Sequence, residues 1–326
     1  MQMHGRRLGT PSGLPAVLAH CFLGNGASWK PLLDALAVPL NAQAPDLPGH
    51  GRSPMPEAPG DFHAAVAGAL GVLVSGPSLL MGHSFGAASM LRYALHHRSM
   101  VRGLVLIEPV FFAAAAGEPE YAPYRAGEAP LHEAVAEGRL EDAARHFLSQ
   151  NPGSPDFDRL APAAQAQMAA QMRLVAATGP GLIEDSGGLL AEGVMAGFDA
   201  PVLLIAGSET APIFHATIRG LARMLPKVEA HRIEGAGHMV PITHPEETAA
   251  QLSEEELLSF LFLPGFSMRD KVTEVSGRGV GLDAVQHMVR QLRGGVELVQ
   301  TAGQGSCFHL EVPLTLSVVR SLVVEV

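Results

Sequence analysis

The sequence is poor in cysteine, in tryptophan and in basic residues. Its 326 residues include only two cysteines, Cys21 and Cys307, and one tryptophan. Two cysteines provide neither a disulfide framework nor a thiolate metal site. The formal net charge is −10, and no basic face is visible. Because a phosphate backbone requires positive charge, nucleic acid is not expected as a partner.

Long apolar runs are also missing. No uncharged stretch reaches the roughly eighteen apolar residues of a membrane span, so none is expected. Residues 1–20 lack an extended apolar core before a small-residue cleavage site, which argues against a signal peptide. We therefore expect a soluble, cytoplasmic protein, long enough to bury a large core.

Up to about residue 250, short β-rich runs alternate with longer helical patterns. Runs that are apolar throughout and separated by helices predict a mostly parallel sheet covered on both faces, an α/β fold. The expected strands lie at 15–20, 78–83, 104–110, 201–207 and 227–233, and the expected helices at 61–74, 86–97 and 214–225.

Residues 111–200 interrupt this alternation, since they contain no good strand and carry two helical patterns, at 131–148 and 160–178. We interpret the region as a helical cap inserted between two strands, a common place for a lid. Its apolar side chains suggest an apolar acyl or alcohol group on the substrate, although such residues at helical spacing are more often core. They are Phe147, Met168, Met172 and Leu174.

A nucleophile motif lies between an expected strand and an expected helix. Residues 82–86 read GHSFG and match G-x-S-x-G, which places Ser84 in a sharp strand-to-helix turn. Small residues two positions to either side are required because the chain bends there without room for a Cβ atom. By composition alone the pattern would occur by chance roughly 0.2 times in this chain, so the motif by itself is a weak signal, and its position between a strand and a helix is what makes it informative.

Three further segments accompany this motif. They are HCFLG at 20–24, DLPGHGRS at 46–53 and GAGHMVP at 235–241. With GHSFG in this order, the sequence resembles the α/β-hydrolase superfamily over residues 14 to about 250. The resemblance implies a mostly parallel sheet of that type with the inserted cap.

The resemblance also implies roles for individual residues. Ser84 would attack a carbonyl carbon, and His238 would accept its proton and pass it to the leaving group. The backbone N–H groups of Phe22 and Phe85 would form the oxyanion hole. Cys21 departs from the family, which usually has glycine at this place in the oxyanion loop.

The third member of the triad is open at this point. Most of the family carries an aspartate where this chain has Thr210, and threonine has no charge to hold an imidazolium. Some members place the acid after the strand that follows the nucleophile helix, where Glu108 stands, and we favour Glu108 over Glu209. Asp185 and Asp199 are lesser candidates.

A serine nucleophile excludes the alkyl-enzyme routes to dehalogenation and epoxide opening, which need a carboxylate. Esters, thioesters, lactones, diketone carbon–carbon bonds and peracid formation remain, and we favour a serine hydrolase acting on a small carboxylic ester. No cofactor is expected. No metal site is expected either, because the histidines outside the motifs share no ligand spacing such as H-x-x-x-H. These are His132, His146, His215 and His231.

From about residue 252 the sequence stops resembling a hydrolase. The stretches PGFSMRD, SGRGVGLD, GQGSCF and VPLTL resemble, in order, the ATP-binding domain of chemotaxis histidine kinases of the CheA type. The resemblance implies that Gly277, Gly279 and Gly281 belong to a phosphate-wrapping loop. The family's metal-binding asparagine helix and adenine-reading loop are absent upstream, so ATP binding is not expected.

These observations divide the chain into a hydrolase domain at 1–251 and an incomplete kinase-like α+β fragment at 252–326, as in a fusion. The alternative function is a nucleotide-binding signalling module that carries an inactive hydrolase fold. We expect one helix at 245–262 to span the junction, with a hairpin of strands around 296–301 and 307–314 beyond it. The apolar C-terminal segment could drive self-association.

Overall fold

The computed structural model describes residues 2–58, 60–150, 154–252, 289, 295–301 and 305–311. The chain separates into two compact units, residues 1–254 and 255–326. Within the part that the structure describes, no helix has the length and apolarity needed to cross a membrane.

The first unit is built on a seven-stranded sheet with the order β1-β3-β2-β4-β5-β6-β7. Only the β1–β3 pair is antiparallel, and every other neighbouring pair is parallel. This confirms the predicted mostly parallel α/β sheet. The strands are β1 (Arg7–Gly9), β2 (Leu14–Ala19), β3 (Leu40–Gln43), β4 (Ser78–His83), β5 (Val101–Ile107), β6 (Val202–Gly207) and β7 (Val228–Ile233).

The described part of the first unit contains ten α-helices, which lie against the sheet or in the cap. They are α1 (Lys30–Ala35), α2 (Phe62–Gly71), α3 (Phe85–His96), α4 (Tyr121–Ala136), α5 (Leu140–Ser149), α6 (Pro162–Ala176), α7 (Gly179–Leu182), α8 (Pro212–Met224), α9 (Val240–Thr243) and α10 (Pro245–Ala250). The three helices expected beside the sheet correspond to α2, α3 and α8. Each strand β2, β4, β5 and β6 runs into a loop at the same sheet edge, where ligands bind in folds of this kind.

The cap consists of α4 to α7 and has an apolar core of its own. The expected helix at 131–148 is wrong as a single element, because the chain turns at Gly138, whose φ of 77° is left-handed. The helix α4 also begins ten residues earlier than expected and keeps Pro130 inside it. Side chains of α4, α5 and α6, together with Phe157 from a short 3₁₀ helix between α5 and α6, meet in the cap core, which is separate from the main core. The cap core contains Leu131, Ala134, Ala143, Ala144, Leu148, Phe157, Met172 and Val175.

The described part of the second unit is an antiparallel pair of strands, β8 (Gly295–Thr301) and β9 (Gly305–Glu311). This pair is the hairpin expected from the sequence. The continuous helix expected at 245–262 is wrong, because α10 ends at Ala250 with Gln251 as its C-cap. The rest of that stretch, and the glycines of the kinase-like loop at 277–281, lie outside the described residues.

Candidate active site

Ser84 occupies a strained turn between β4 and α3. Its φ of 56° and ψ of −118° lie outside the usual regions for a residue with a side chain. Gly82 and Gly86 make this turn possible. A Cβ atom on Gly82 would lie 2.4 Å from Cα of Ala87, and one on Gly86 would lie 2.1 Å from the carbonyl oxygen of Ala19. The G-x-S-x-G spacing therefore has a direct steric cause.

We expect Gly86→Ala to lower the free energy of unfolding by about 3 kcal/mol, because the added methyl group must displace the β2 backbone. Gly68→Ala is the matched control on α2, since a Cβ there meets nothing within 4 Å. That change should raise stability by up to about 1 kcal/mol, through higher helix propensity. Urea denaturation measures both, and equal stability of the two variants would contradict the steric argument.

Three side chains form a hydrogen-bonded row at the carboxyl edge of the sheet. His238 Nε2 lies 3.0 Å from Ser84 Oγ, and His238 Nδ1 lies 3.1 Å from Glu108 Oε2. Because a carboxylate only accepts hydrogen bonds, Nδ1 carries the proton and Nε2 is free to accept one from the serine. Phe214 packs on the imidazole with ring centroids 4.6 Å apart. The arrangement can transfer a proton from Ser84 to His238.

Glu108 is fully buried at the end of β5, with a left-handed φ of 50°. Its Oε1 accepts a 2.7 Å hydrogen bond from the Gly207 N–H, and its Oε2 accepts one of 2.7 Å from Thr210 Oγ1. Thr210, at the position where the resemblance implies an aspartate, donates to the carboxylate that contacts His238. The Glu209 side chain is exposed. The geometry therefore brings Glu108, and not Glu209, to the imidazole.

We expect Thr210→Val to lower kcat for an ester about tenfold, because a hydrogen bond to a charged group contributes roughly 1.5–3 kcal/mol. The loss should appear in kcat, measured by steady-state kinetics with a p-nitrophenyl ester. Thr217→Val is the control, since that buried hydroxyl donates to Ile213 O within α8. An unchanged kcat for Thr210→Val would show that this hydroxyl does not orient Glu108.

Of the two expected oxyanion-hole donors, Phe85 follows Ser84 directly in the chain, and Phe22 lines the same cavity as Ser84. Phe85 is the first residue of α3, and its N–H has no intrahelical acceptor. Among the described residues, neither the Phe85 N–H nor the Phe22 N–H donates a hydrogen bond. The Phe22 and Phe85 rings stack at 4.4 Å, and the next loop residue, Leu23, has a left-handed φ of 64°. Both amides are thus available to a ligand oxygen.

Two buried histidines brace the loops around these groups. His20 donates from Nδ1 to Cys21 O at 2.7 Å and accepts at Nε2 from the Leu47 N–H at 2.9 Å. His83 donates from Nε2 to His238 O at 2.8 Å. Burial lowers the pKa of each ring to about 3. Both rings are therefore neutral, so they position the loops and do not titrate near neutral pH.

Ser84 and His238 open into a cavity of about 610 Å³ between the sheet edge and the cap. Of the four apolar cap residues expected to line a pocket, Phe147 lines this cavity and the others do not. Met172 is buried in the cap core with Met168 packed against it, and Leu174 belongs to the main core. The described methionines of the cap pack in the two cores, and none of them lines the cavity.

The other residues singled out from the sequence lie away from this row. Asp185 accepts from the N–H groups of Leu189 and Leu190 in the cap, and Asp199 pairs with Lys227 at 2.8 Å. Burial raises the pKa of the Cys21 thiol to about 12, which makes it a packing residue and not a nucleophile. One histidine with no expected role, His132, lines the cavity.

Comparison with known proteins places this site in a family. A model of the alpha/beta hydrolase family matches residues 16–251. The chain belongs to that family. Among solved structures, an esterase from Thermogutta terrifontis is 23% identical with a TM-score of 0.56, and the match covers 79% of this chain and 94% of that one.

Other solved structures with the same fold carry the names of different enzymes. A 2-hydroxy-6-oxo-6-phenylhexa-2,4-dienoate hydrolase from Rhodococcus sp. strain RHA1 is 18% identical, with a TM-score of 0.59 and coverage of 78% and 94% of the two chains. A haloalkane dehalogenase variant from Bradyrhizobium elkanii is also 18% identical, with a TM-score of 0.58 and coverage of 79% and 93%. At these identities the likeness shows the alpha/beta hydrolase fold alone.

Curated relatives match a different, smaller part of the sequence. The chemotaxis protein CheA of Bacillus subtilis (strain 168) is 40% identical over 80 residues, which is 24% of this chain and 12% of that protein. CheA of Rhizobium meliloti (strain 1021) is 44% identical over 77 residues, 24% of this chain and 10% of that protein. The chain thus carries a C-terminal CheA-like segment that spans about a tenth of these relatives' length.

Proposed function

We propose that the protein is a serine hydrolase that cleaves a carboxylic ester, or a related acyl bond, through an acyl-enzyme. The observation that carries this proposal is the row from Ser84 Oγ through the His238 imidazole to Glu108, at 3.0 Å and 3.1 Å, opening into the cavity. A serine hydroxyl is a weak nucleophile until a base within hydrogen-bond distance takes its proton. Family membership supports hydrolysis in general.

In the proposed reaction His238 removes the proton of Ser84 as its oxygen attacks the carbonyl carbon. The resulting oxyanion accepts hydrogen bonds from the N–H groups of Phe22 and Phe85. Protonated at Nε2, His238 then gives its proton to the leaving alcohol, and the acyl group stays on Ser84. A water molecule then attacks the acyl carbon in the same way, with His238 as the base, and the acid leaves Ser84. Glu108 stabilises the imidazolium in both halves, and no metal or cofactor takes part.

A direct test is labelling with a fluorophosphonate, which reacts only with activated serines. We expect one equivalent to bind and to be found on Ser84 by peptide mass spectrometry, together with hydrolysis of short p-nitrophenyl esters by the untreated protein. Hydrolysis should fall in proportion to the fraction of protein labelled, which would show that the labelled serine is the one that hydrolyses the ester. Label on another residue, or full activity after complete labelling, would refute the proposal.

We also propose that the hydrolase domain spans 1–251, with its cap at about 111–200, and that 252–326 is an incomplete kinase-like fragment. The end of the family match at residue 251 and the boundary of the compact unit at 254 support this division. No described contact favours the alternative of a nucleotide-binding module with an inactive hydrolase fold. Its main support was Thr210, which donates a hydrogen bond to Glu108. Self-association through the C-terminal segment remains a prediction.

A further inference from the structure

One face of the cap helix α4 carries a row of polar side chains into the cavity. Glu120, the N-cap residue of α4, and Tyr124, Glu128 and His132 within the helix are spaced four residues apart. All four line the space that Ser84 and His238 share. Residues at this spacing lie on one side of a helix. The cavity therefore has one polar wall, supplied by a single element.

The remaining walls are mostly apolar. Among the described residues that line the cavity there is no lysine or arginine, so an anionic substrate group would find no guanidinium or ammonium group there. The apolar side chains that enclose the space include Phe22, Val110, Phe112, Phe147, Leu182 and Phe214. An amphipathic cavity of this kind fits a substrate with an apolar body and one polar group.

Two carboxylates of the polar row, Glu120 and Glu128, line the cavity. Burial raises the pKa of Glu128, and the nearby His146 and the Tyr124 hydroxyl only partly oppose it. Glu120 Oε1 accepts a 2.9 Å hydrogen bond from Arg219, but its Oε2 is buried and has no partner among the described residues. A hydrogen-bond donor with positive charge would satisfy both groups.

Aromatic rings stand beside these carboxylates. The Tyr124 ring lies 4.3 Å from that of Phe112, and Phe112 lies 5.7 Å from Phe214, measured between centroids. All three residues line the cavity. The faces of such rings attract cations, and a carboxylate beside them adds to that attraction.

We propose that this cavity selects esters that carry a protonated amine, which Glu128 receives while the reacting carbonyl lies at Ser84. The inference rests on the proposed ester hydrolysis for the position of the carbonyl, and on the polar row for the position of the amine. The amine donates hydrogen bonds to Glu128, to the free oxygen of Glu120, or to both. In this proposal Glu128 on α4 determines which esters bind, and Ser84 at the sheet edge carries out the reaction.

The test compares p-nitrophenyl esters of ω-amino acids with the isosteres in which a methyl group replaces the ammonium group. A series of chain lengths is used, and each rate is corrected for the uncatalysed reaction. At the best length we expect kcat/KM to be at least about tenfold higher for the amine, the effect of one charged hydrogen bond. Equal or lower values for the amines at every length would overturn the inference.

Substitutions at the α4 carboxylates test which of them is responsible for the preference for the amine. Glu128→Gln should lower the ratio of amine to methyl kcat/KM about tenfold, and Glu120→Gln should lower it less, since Arg219 already pairs with that carboxylate. Glu133→Gln is the matched control, because Glu133 is exposed on the same helix and does not line the cavity. The same ratio in the Glu128 and Glu133 variants would contradict a role for Glu128.

A binding measurement separates this inference from the proposed reaction. Calorimetry with an n-alkylammonium ion, against the n-alkanol of the same length, needs no turnover. We expect Ser84→Ala and the wild-type protein to bind the ammonium ion alike, and Glu128→Gln to bind it about tenfold more weakly. Ammonium binding without ester hydrolysis would refute the reaction alone. Hydrolysis of the methyl-terminated esters without ammonium binding would refute only the amine site.

Discussion

Ser84→Ala is expected to lower kcat for a p-nitrophenyl ester by about 10⁴- to 10⁶-fold, the range found when a triad nucleophile is removed. The change deletes the atom that would form the acyl-enzyme, and the oxyanion donors and the cavity remain. Steady-state kinetics at saturating ester measures the effect. The substitution keeps a Cβ atom at the left-handed φ of 56°, so the backbone strain is the same in both proteins.

The matched control is Ser89→Ala in the same helix. Ser89 is fully buried, and its hydroxyl has no hydrogen-bond partner among the described residues. Its loss should leave kcat unchanged, and thermal unfolding of both variants should follow that of the wild type. If Ser84→Ala retained wild-type activity while folded, the proposed function would be wrong.

Glu108→Gln should lower kcat by about 10³- to 10⁴-fold, as does the loss of charge at the acid of other serine hydrolases. The amide is nearly isosteric, but it cannot stabilise an imidazolium. An N–H₂ group in place of Oε2 would also face the hydroxyl of Thr210 and Nδ1 of His238, and it would favour the wrong histidine tautomer.

Glu209→Gln distinguishes the two acids proposed from the sequence. Glu209 is exposed and its backbone N–H bonds to Ala236 O, so the side-chain change should leave kcat unchanged. Circular dichroism confirms that each variant is folded. A large loss with Glu209→Gln and none with Glu108→Gln would reverse the assignment of the acid.

The parts of the fold that were predicted are those with a strong local signal. The central strands β2, β4, β5 and β6 are continuous apolar runs, because both faces of a parallel sheet are buried. The strands β1 and β3 were missed, since one has three residues and the other alternates buried with partly exposed positions over four. Short edge elements depend on the neighbour they pair with, and no local pattern marks them.

The first half of α4 was missed for a related reason. Its prolines, at positions 123 and 130, disfavour a helix in any local reading. Packing of the second half against α5 and α6 stabilises the whole element. Tyr124 and Glu128 lie in the missed half, so their approach to the cavity was not foreseen. Their spacing of four residues was the available signal, and it has meaning only once the helix is known.

The candidate nucleophile and base could be read from the sequence alone. Ser84 and His238 lie in short motifs that can be recognised in the sequence. Gly82 is required by its own turn, where a Cβ would meet the Ala87 backbone, whereas Gly86 is required by the neighbouring strand β2. The alpha/beta hydrolase fold follows from the same kind of local pattern, repeated along the chain.

Only the tertiary structure decided which acid meets the imidazole and what the substrate would encounter. Glu108 and Thr210 are separated by 102 positions, and their hydrogen bond exists because β5 and β6 are neighbours in the sheet. The polar wall of α4 likewise faces Ser84 only because the cap folds back over the sheet edge. Contacts between residues so far apart in sequence are set by strand order and packing, and a local pattern does not encode them.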